Sequence, residues 1–468
     1  MIFSSILIFL SLAAADFPIC NASGRQWHPA VASCGERYLV VWEDDRATGD
    51  YFNNDIWGQF VSEEGTLIDT NFPICTADSG QWMIDIAFGD SNYLVVWCDD
   101  RNESWDVYGR LVAPNGNFIN TEFAVCTTSY YQCNTSVAFG SINYLVVWQD
   151  HYDDIYDVRI NAQRISSKGQ IIDTNFTISH SARKGYNPAV AFDGENYLVV
   201  WTNSDGQINP FDVCGQFVNQ EGSLVDTNFL IIMGGVSTMY PDIAFGGTNY
   251  LVVAAHDDTV FGQLVSTDGS LIGEPIIVAG GPESGGGGPS VVWSQTNYLV
   301  AFATARNEYS DIYGQWVSSD GDLIDTNFAI STAWWSYEYL PTIAYCGENC
   351  LVIWSDTRGP EPDYDIYGSI VTNVGIQEES QGGKLALEVY PNPLRYEVDI
   401  SYQLPIRSRV SLKICDLSGR IVVTLINTME EPGYHRITWN SKNLPDEVYF
   451  IKLEAGRYIE SKKLILIN

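Results

Sequence analysis

An apolar run returns seven times along the chain, and it begins with an aromatic residue in six copies and ends in tryptophan in five. The first copy reads Tyr38 to Trp42, and successive copies are 48 to 55 residues apart. The seven copies begin at Tyr38, Tyr93, Tyr144, Tyr197, Tyr250, Tyr298 and Cys350. A period near 50 residues is typical of propellers and solenoids. The pattern therefore predicts the architecture before any single side chain is considered.

Each repeat contains four strand-like segments. In the second repeat they are Asp85 to Phe88, Tyr93 to Trp97, Val107 to Val112 and Phe118 to Val125. The second segment is apolar throughout, as expected of a strand that is buried on both faces. Gly and Asn turns separate the segments, and no stretch has helical spacing. Four short strands per repeat predict one blade, so the fold is predicted to be all-β, with a seven-bladed β-propeller.

The two ends of the repeat region complement each other. The seventh repeat stops near Gly375 without the tail that other repeats carry, such as Leu67 to Cys75. Part of that tail stands near the start of the chain, at Asp16 to Cys20. We therefore expect this segment to supply the last strand of the seventh blade, which closes the ring and removes an exposed sheet edge. An open solenoid would carry capping repeats instead.

A hydrophobic segment precedes the closing strand. Ile2 to Leu12 is too short to span a bilayer, and Ala13 to Ala15 have the small side chains of a cleavage site. The segment predicts a signal peptide over residues 1–15, although the usual basic start is missing. A buried first strand is the alternative. No other segment reaches transmembrane length, so we expect no transmembrane span.

Charge is distributed unevenly along the chain. The net charge is −34, yet 12 basic and 10 acidic residues lie from Lys384 onward. Nearly all of the acidic excess therefore precedes that point. The shift predicts a propeller over 16–376, a linker over 377–383 and a second domain over 384–468. An acidic propeller argues against nucleic acid as a partner.

Acidic loops follow the apolar runs, and four of them contain an arginine at the same repeat position. These arginines are Arg46, Arg101, Arg306 and Arg358. The same repeats carry a later acid, at Asp55, Asp106, Asp311 and Asp365. The co-occurrence predicts an Arg–Asp pair across the hairpin between strands two and three. Calcium is the alternative because Asp clusters supply oxygen ligands, but no loop has a dedicated calcium spacing. We expect no other cofactor.

The ten cysteines suit an oxidising compartment. Cys346 and Cys350 flank a tight turn, and Cys126 and Cys133 bracket a short loop, so either pair is a candidate disulfide. The five histidines are scattered, and His28 is predicted to be a surface or turn residue. No catalytic residue is predicted, since the chain has no serine-hydrolase, zinc-protease or phosphate-loop motif.

The candidate binding residues are aromatic and lie at junctions between repeats. They are Trp82, Tyr130, Tyr131, Trp334, Trp335 and Tyr337. Exposed aromatic residues on connecting loops are typical of a carbohydrate- or protein-binding face. Packing between blades is the alternative. The glycine-rich segment 280–289, after the degenerate fifth repeat, is a second departure from the pattern.

Residues 384–468 contain seven short strand-like segments, which predict an immunoglobulin-like β-sandwich. Their motifs are Tyr390 to Pro393, Ile414 to Arg420, Pro432 to His435 and Val448 to Leu453. In these motifs the segment resembles the C-terminal sorting domain of the bacterial type IX secretion system, an Ig-like module. The resemblance implies export across the outer membrane, with the secretion machinery as a partner.

These patterns together predict a secreted or surface-displayed protein, in which a seven-bladed β-propeller is followed by a small Ig-like β-sandwich. We expect a binding or adhesion role toward a glycan, a protein or a surface. The alternative is a polysaccharide hydrolase or lyase with its site in the propeller channel. A glycosidase would need two carboxylates at a set separation there.

Overall fold

The computed structural model describes residues 15–102, 104–152, 157–179, 184–204, 211–233, 240–256, 259–280, 288–304, 309–333, 336–358, 363–372, 386–390, 397–404, 408–415, 420–430, 433–441, 444–445, 447–455 and 458–466. The chain divides into two compact units, Met1–Gly375 and Ile376–Asn468. Segment 377–383, predicted to be a linker, lies outside the described residues, as does the predicted signal peptide apart from Ala15.

The first unit begins with strand β1 (Phe17–Cys20), and complete four-stranded blades follow it. Blade 1 consists of β2 (Gln26–Ser33), β3 (Arg37–Asp44), β4 (Asp55–Ser62) and β5 (Leu67–Cys75). Blade 2 consists of β6 (Gln81–Gly89), β7 (Asn92–Asp99), β8 (Asp106–Val112) and β9 (Phe123–Cys126). Blade 3 consists of β10 (Tyr131–Phe139), β11 (Asn143–Tyr152), β12 (Asp157–Ser166) and β13 (Ile171–Thr177).

The remaining blades repeat this antiparallel order. Blade 4 consists of β14 (Lys184–Phe192), β15 (Asn196–Ser204), β16 (Phe211–Asn219) and β17 (Leu224–Ile232). Blade 5 consists of β18 (Asp242–Phe245), β19 (Asn249–His256), β20 (Thr259–Ser266) and β21 (Leu271–Gly280). Blade 6 consists of β22 (Ser290–Trp293), β23 (Asn297–Thr304), β24 (Asp311–Ser318) and β25 (Leu323–Ser331). Blade 7 contains β26 (Glu338–Cys346), β27 (Asn349–Asp356) and β28 (Asp365–Thr372).

The N-terminal strand completes blade 7, as predicted. β1 pairs antiparallel with β28, with Phe17 opposite Gly368, and the sheet order is β1-β28-β27-β26. The first strands of neighbouring blades contact each other around the whole ring, including β2 of blade 1 with β26 of blade 7. The first unit is therefore a closed seven-bladed propeller. Closure leaves no blade edge open between the last blade and the first.

The apolar repeat forms the second strand of each blade and makes the core between blades. Tyr38 to Trp42 on β3 are fully buried. A strand covered on both faces needs an unbroken apolar run, which explains the repeat. The weaker copies keep this burial, since Ala254 and Phe302 replace the Trp and are also buried.

In blades 1 to 6, the tyrosine that opens the repeat ties the blade to the one before it. The Tyr144 hydroxyl donates to the carbonyl oxygen of Asn92 at 2.7 Å, and the Tyr298 hydroxyl donates to that of Asn249 at 2.6 Å. The Tyr38 hydroxyl makes the same bond to Asn349 across the ring closure, at 2.8 Å. Satisfying a buried hydroxyl and a buried carbonyl together holds neighbouring blades in register.

The second unit contains seven described strands in two sheets. They are β29 (Ala386–Tyr390), β30 (Glu397–Leu404), β31 (Ser408–Cys415), β32 (Ile421–Glu430), β33 (Gly433–Asn440), β34 (Val448–Ala455) and β35 (Tyr458–Ile465). One sheet has the order β29-β30-β33 and the other β32-β31-β34-β35. Alternate residues such as Ile400, Leu412 and Ile451 form a common buried core, so the unit is the predicted Ig-like sandwich.

Candidate functional site

The first strands of the blades surround a central channel in the propeller. It holds a cavity of about 660 Å³. The side chains that blades contribute to its wall include His28, Met83, Asn134, Asn187, Tyr240 and Leu340. A cavity of this size suits part of a small ligand or the end of a larger one.

Five of these side chains are each oriented by a β-bulge in their own strand. His28, Met83, Asn134, Asn187 and Leu340 have φ between 47° and 54°, and the strand register shifts at each of them. A bulge re-aims a side chain out of the regular alternation. Left-handed backbone is unfavourable for His, Met and Leu, so the ring geometry imposes it at this level.

One side of the channel wall is lined by amides. The Asn134 side chain donates to Gln149 Oε1 and to Asn187 Oδ1, both at 2.8 Å. The Gln149 Nε2 atom lies 2.9 Å from His151 Nε2. This network presents neutral hydrogen-bonding groups to the cavity.

Two aspartates on first strands connect neighbouring blades through hydrogen bonds. Asp85 accepts the N–H groups of Ile86 and Val137, both at 2.8 Å, and Asp242 accepts those of Ile243 and Val291. Each carboxylate therefore joins its own first strand to that of the next blade. Burial raises the pKa of Asp85 to about 6, against the lowering effect of these bonds. Neither side chain belongs to the described cavity wall.

His28 lies in strand β2 and not in a turn, and its side chain, which is 33% exposed, lines the channel. Its Nδ1 atom is 2.9 Å from Oε1 of Glu43, whose side chain is fully buried. The ring stacks on Trp27, with centroids 4.3 Å apart. Burial lowers the pKa of His28, but the Glu43 carboxylate more than offsets this, so the pKa is raised.

A continuous series of aromatic rings runs from blade 6 to blade 2, and one of them, Trp27, stacks on the cavity residue His28. We call the series the aromatic arc, and it consists of Tyr309, Tyr337, Tyr339, Tyr364, Trp27, Tyr51, Phe52 and Trp82. Successive ring centroids are 5.2 to 6.5 Å apart. Phe52 is 72% exposed and Tyr337 is 43% exposed. The arc is thus an accessible apolar surface with hydroxyl groups along it.

The predicted aromatic residues have different environments. Tyr337 is an exposed member of the arc, while Trp82 forms its other end beside Tyr51 and Phe52 and is buried against Cys98 and Cys133. The expectation of an exposed ring therefore does not hold for Trp82, because the next blade covers it.

The two predicted tyrosines of blade 3 are not members of the arc. Tyr131 is 58% exposed and meets Trp105 edge-on, whereas the half-buried Tyr130 packs on Tyr152. Trp334 and Trp335 lie outside the described residues, as does most of the glycine-rich segment 280–289.

The arginines of the acidic loops do not pair with the predicted acids. Arg101 bonds to Asp99, two residues earlier, at 2.5 to 2.7 Å, and it stacks on Tyr108 with 4.3 Å between guanidinium and ring. Asp106 instead accepts from Asn102 at 2.8 Å. The prediction was wrong because the partner Asp is the one that also accepts from the core Trp97.

The same arrangement recurs in blades 1 and 7, where it also bridges to the previous blade. Arg46 bonds to Asp44 and lies 3.1 Å from the Cys20 thiol. Arg358 bonds to Asp356 at 2.5 Å and to the Ser331 hydroxyl of blade 6 at 3.0 Å, while its bond to Asp16 stays within blade 7. The arginines of these loops therefore stabilise the packing of neighbouring blades. Arg306 lies outside the described residues.

All ten cysteines are free thiols, so neither predicted disulfide is present. Cys346 packs in the core between blades 7 and 1, and Cys350 packs in the core between blades 6 and 7. The two side chains thus leave opposite faces of one sheet and cannot meet. Cys126 and Cys133 likewise belong to separate clusters.

Two negative findings apply to the described residues. No group of three or more His, Cys, Asp or Glu side chains among them is placed to hold a metal ion. Within the same part of the chain, no helix is long and apolar enough to cross a membrane.

Residues 388–468 match the family model of the secretion system C-terminal sorting domain. The match confirms the resemblance seen in the sequence of the second unit. This domain marks proteins that are secreted or anchored at the cell surface, and it implies interaction with the type IX secretion machinery. The chain is therefore an exported propeller protein.

Solved structures with a similar fold share little sequence identity with this chain. The Dos1 propeller is 9% identical with a TM-score of 0.44, and the match covers 77% of this chain and 95% of that one. The subtype N10 neuraminidase-like protein of A/little yellow-shouldered bat/Guatemala/060/2010 is 6% identical with a TM-score of 0.40, and the match covers 78% of this chain and 99% of that one.

An endo-arabinase from Bacteroides thetaiotaomicron is 11% identical with a TM-score of 0.34, and the match covers 51% of this chain and 90% of that one. Similarity at this level carries no functional argument. No curated protein matches the chain.

Proposed function

We propose that this exported protein is a binding protein whose ligand docks on the aromatic arc and extends into the channel. The observation that carries the proposal is the arc itself, in which eight rings from four blades are in unbroken contact. Tyr337 and Phe52 remain exposed on it. Tyr and Trp rings provide large, rigid contact area with a polar end, which is why they dominate binding surfaces.

A neutral glycan is the ligand class that fits best. The cavity beside the arc offers amides and hydroxyls, and its described wall carries no carboxylate, ammonium or guanidinium group. The propeller around it is strongly acidic, which disfavours anionic ligands. A protein ligand with an apolar patch is the second candidate, since exposed apolar surface also marks protein interfaces.

Glycosidase activity has less support. Hydrolysis of a glycosidic bond needs two carboxylates that face the substrate. Asp85 and Asp242 on the first strands, and Glu43 behind His28, all accept hydrogen bonds from protein donors.

A glycan array followed by calorimetric titration of the best hit tests the proposal. The test variant combines Tyr51→Ala with Tyr337→Ala, and the control is Phe450→Ala, an exposed aromatic residue of the second unit. We expect the double variant to lose about 10- to 100-fold in affinity, as for the loss of central aromatic contacts. The control should bind like the wild type. Equal binding by the double variant would refute the arc as the binding surface.

A further inference from the structure

Glu43 is a departure from the repeat that the fold does not require. It follows the core Trp at the end of β3. The other six blades carry neutral residues there, namely Cys98, Gln149, Thr202, Ala255, Ala303 and Ser355. A blade therefore forms without an acid at this position, and burying a carboxylate is costly unless it is fully paired.

Three separate segments supply the partners of this carboxylate. Oε1 accepts from His28 Nδ1 at 2.9 Å and from the N–H of Met83 at 2.7 Å. Oε2 lies 3.4 Å from the Asn54 amide. Glu43 is thus fixed in place, and it fixes the imidazole in turn.

The pairing determines which nitrogen of His28 can act. A carboxylate on Nδ1 holds the proton there, so the neutral ring keeps its lone pair on Nε2. Nε2 has no hydrogen-bond partner among the described residues, and His28 lines the cavity. A histidine that lines a cavity, with one ring nitrogen held by a carboxylate and the other without a protein partner, has the arrangement of a proton-transferring residue.

The residues around His28 restrict which reaction the histidine could catalyse. Breaking a glycosidic bond needs a second acid facing the substrate, which the described wall lacks. Eliminating a uronate needs a cation to neutralise its carboxylate, and that wall has none. Activating water against an ester needs one base of suitable pKa.

We propose that His28 is the general base of an ester-hydrolysing site in the channel, that Glu43 is its positioning residue, and that the substrate is an O-acyl ester on a neutral glycan. His28 Nε2 takes a proton from water while the water oxygen bonds to the acyl carbon. The carbon–oxygen bond to the sugar then breaks, and the sugar oxygen takes the proton back from Nε2. One water is consumed, and a carboxylic acid and a free hydroxyl result. The glycan part of this substrate rests on the proposed function of the arc.

The pH profile follows from the same contacts. Glu43 is the charged group in contact with His28, the Arg25–Asp45 ion pair flanks this end of blade 1, and Tyr51 and Tyr364 contact the Trp27 ring on which His28 stacks. Activity should rise with pH as His28 loses its proton. Replacing Glu43 by Gln removes the negative charge that raises the His28 pKa, so this rise should move to lower pH.

The experiment measures acetate release by the full-length chain from p-nitrophenyl acetate and from acetylated xylan. We expect saturable release that falls at least about 100-fold in His28→Gln, as for the loss of a general base. Glu43→Gln should fall about 10-fold with its pH profile shifted downward. His435→Gln, in the second unit, should match the wild type. Circular dichroism checks folding, and His28→Asn replaces His28→Gln if the latter is unfolded.

The results separate this site from the arc. Release by the wild type at the rate of the folded His28 variant, on both substrates, would overturn the proposal. So would a Glu43→Gln variant with unchanged rate and pH profile. If p-nitrophenyl acetate hydrolysis depends on His28 while no glycan binds, the catalytic pair stands and the proposed function of the arc fails. Glycan binding without any His28-dependent release would mean that the proposed function of the arc stands and the catalytic pair fails.

Discussion

Replacing Ile19 by alanine tests whether the N-terminal strand is a structural part of blade 7. Ile19 is 2% exposed and belongs to the core between blades 7 and 1, with Trp42 and Ile366. It packs so closely on β28 that a Cβ atom at Gly368 would lie 2.8 Å from Ile19 Cδ1. The truncation removes three carbon atoms from a filled site.

The chain supplies a matched control within one continuous blade. Ile74 on β5 is fully buried, and a Cβ atom at Gly58 would lie 2.9 Å from its Cδ1 atom. Truncating a large aliphatic core residue to alanine costs about 2–5 kcal/mol, because transfer energy is lost and a cavity remains. We expect Ile19→Ala and Ile74→Ala each to lower the free energy of unfolding by about 3 kcal/mol.

Urea unfolding followed by tryptophan fluorescence measures both variants. The readout is the shift of the unfolding midpoint relative to the wild type, at an unchanged slope. If Ile19→Ala shifts the midpoint by less than a quarter as much as Ile74→Ala, β1 is not held in the ring, and our reasoning on closure is wrong.

Two further predictions concern the ties between blades. Arg101→Met should destabilise the propeller by about 2–3 kcal/mol, because buried Asp99 loses its cation, whereas Asp106→Asn should cost less than about 1 kcal/mol. Midpoints of thermal melting show which variant is destabilised more. A larger loss of stability for Asp106→Asn would support the Arg–Asp pair across the hairpin and contradict the pairing described above. Tyr144→Phe should cost about 1–2 kcal/mol, since it leaves the carbonyl of the preceding blade without its donor. Unchanged stability on urea unfolding would show that water replaces the hydroxyl there.

The propeller could be predicted because its signal is repeated. The apolar run is dictated by burial on both faces of the second strand, and seven copies average out local variation. The closing strand was also predictable, since the fragment at Phe17 to Cys20 matches the tail that the last blade lacks. Both inferences depend on periodic core positions, which sequence alone displays.

The contacts between side chains were harder to predict from the sequence. Arg101 has several acids within a few residues, and only the buried position of Asp99 under Trp97 selects the partner. Cys346 and Cys350 are close in sequence, but strand alternation sends them to opposite sheet faces. Proximity along the chain was therefore a poor guide to pairing in both cases.

The candidate site was only partly predictable, for a related reason. The arc joins Trp27, Tyr51 and Tyr364 from loops and strands far apart in sequence, so it exists only once the ring closes. Aligning the repeats would have revealed Glu43 as the one acid at its position, which was a usable signal. No pattern indicated that a bulge turns His28 toward the channel and that same acid.

Oxidative footprinting tests the central claim of ligand binding at the arc most directly. Hydroxyl radicals modify exposed aromatic side chains, and mass spectrometry compares the modification of the protein with and without the best glycan-array hit. We predict that the ligand protects Phe52 and Tyr337 on the arc and leaves Tyr131 of blade 3 and Phe450 of the second unit unprotected. Unchanged modification of Phe52 and Tyr337 by saturating ligand would contradict the account.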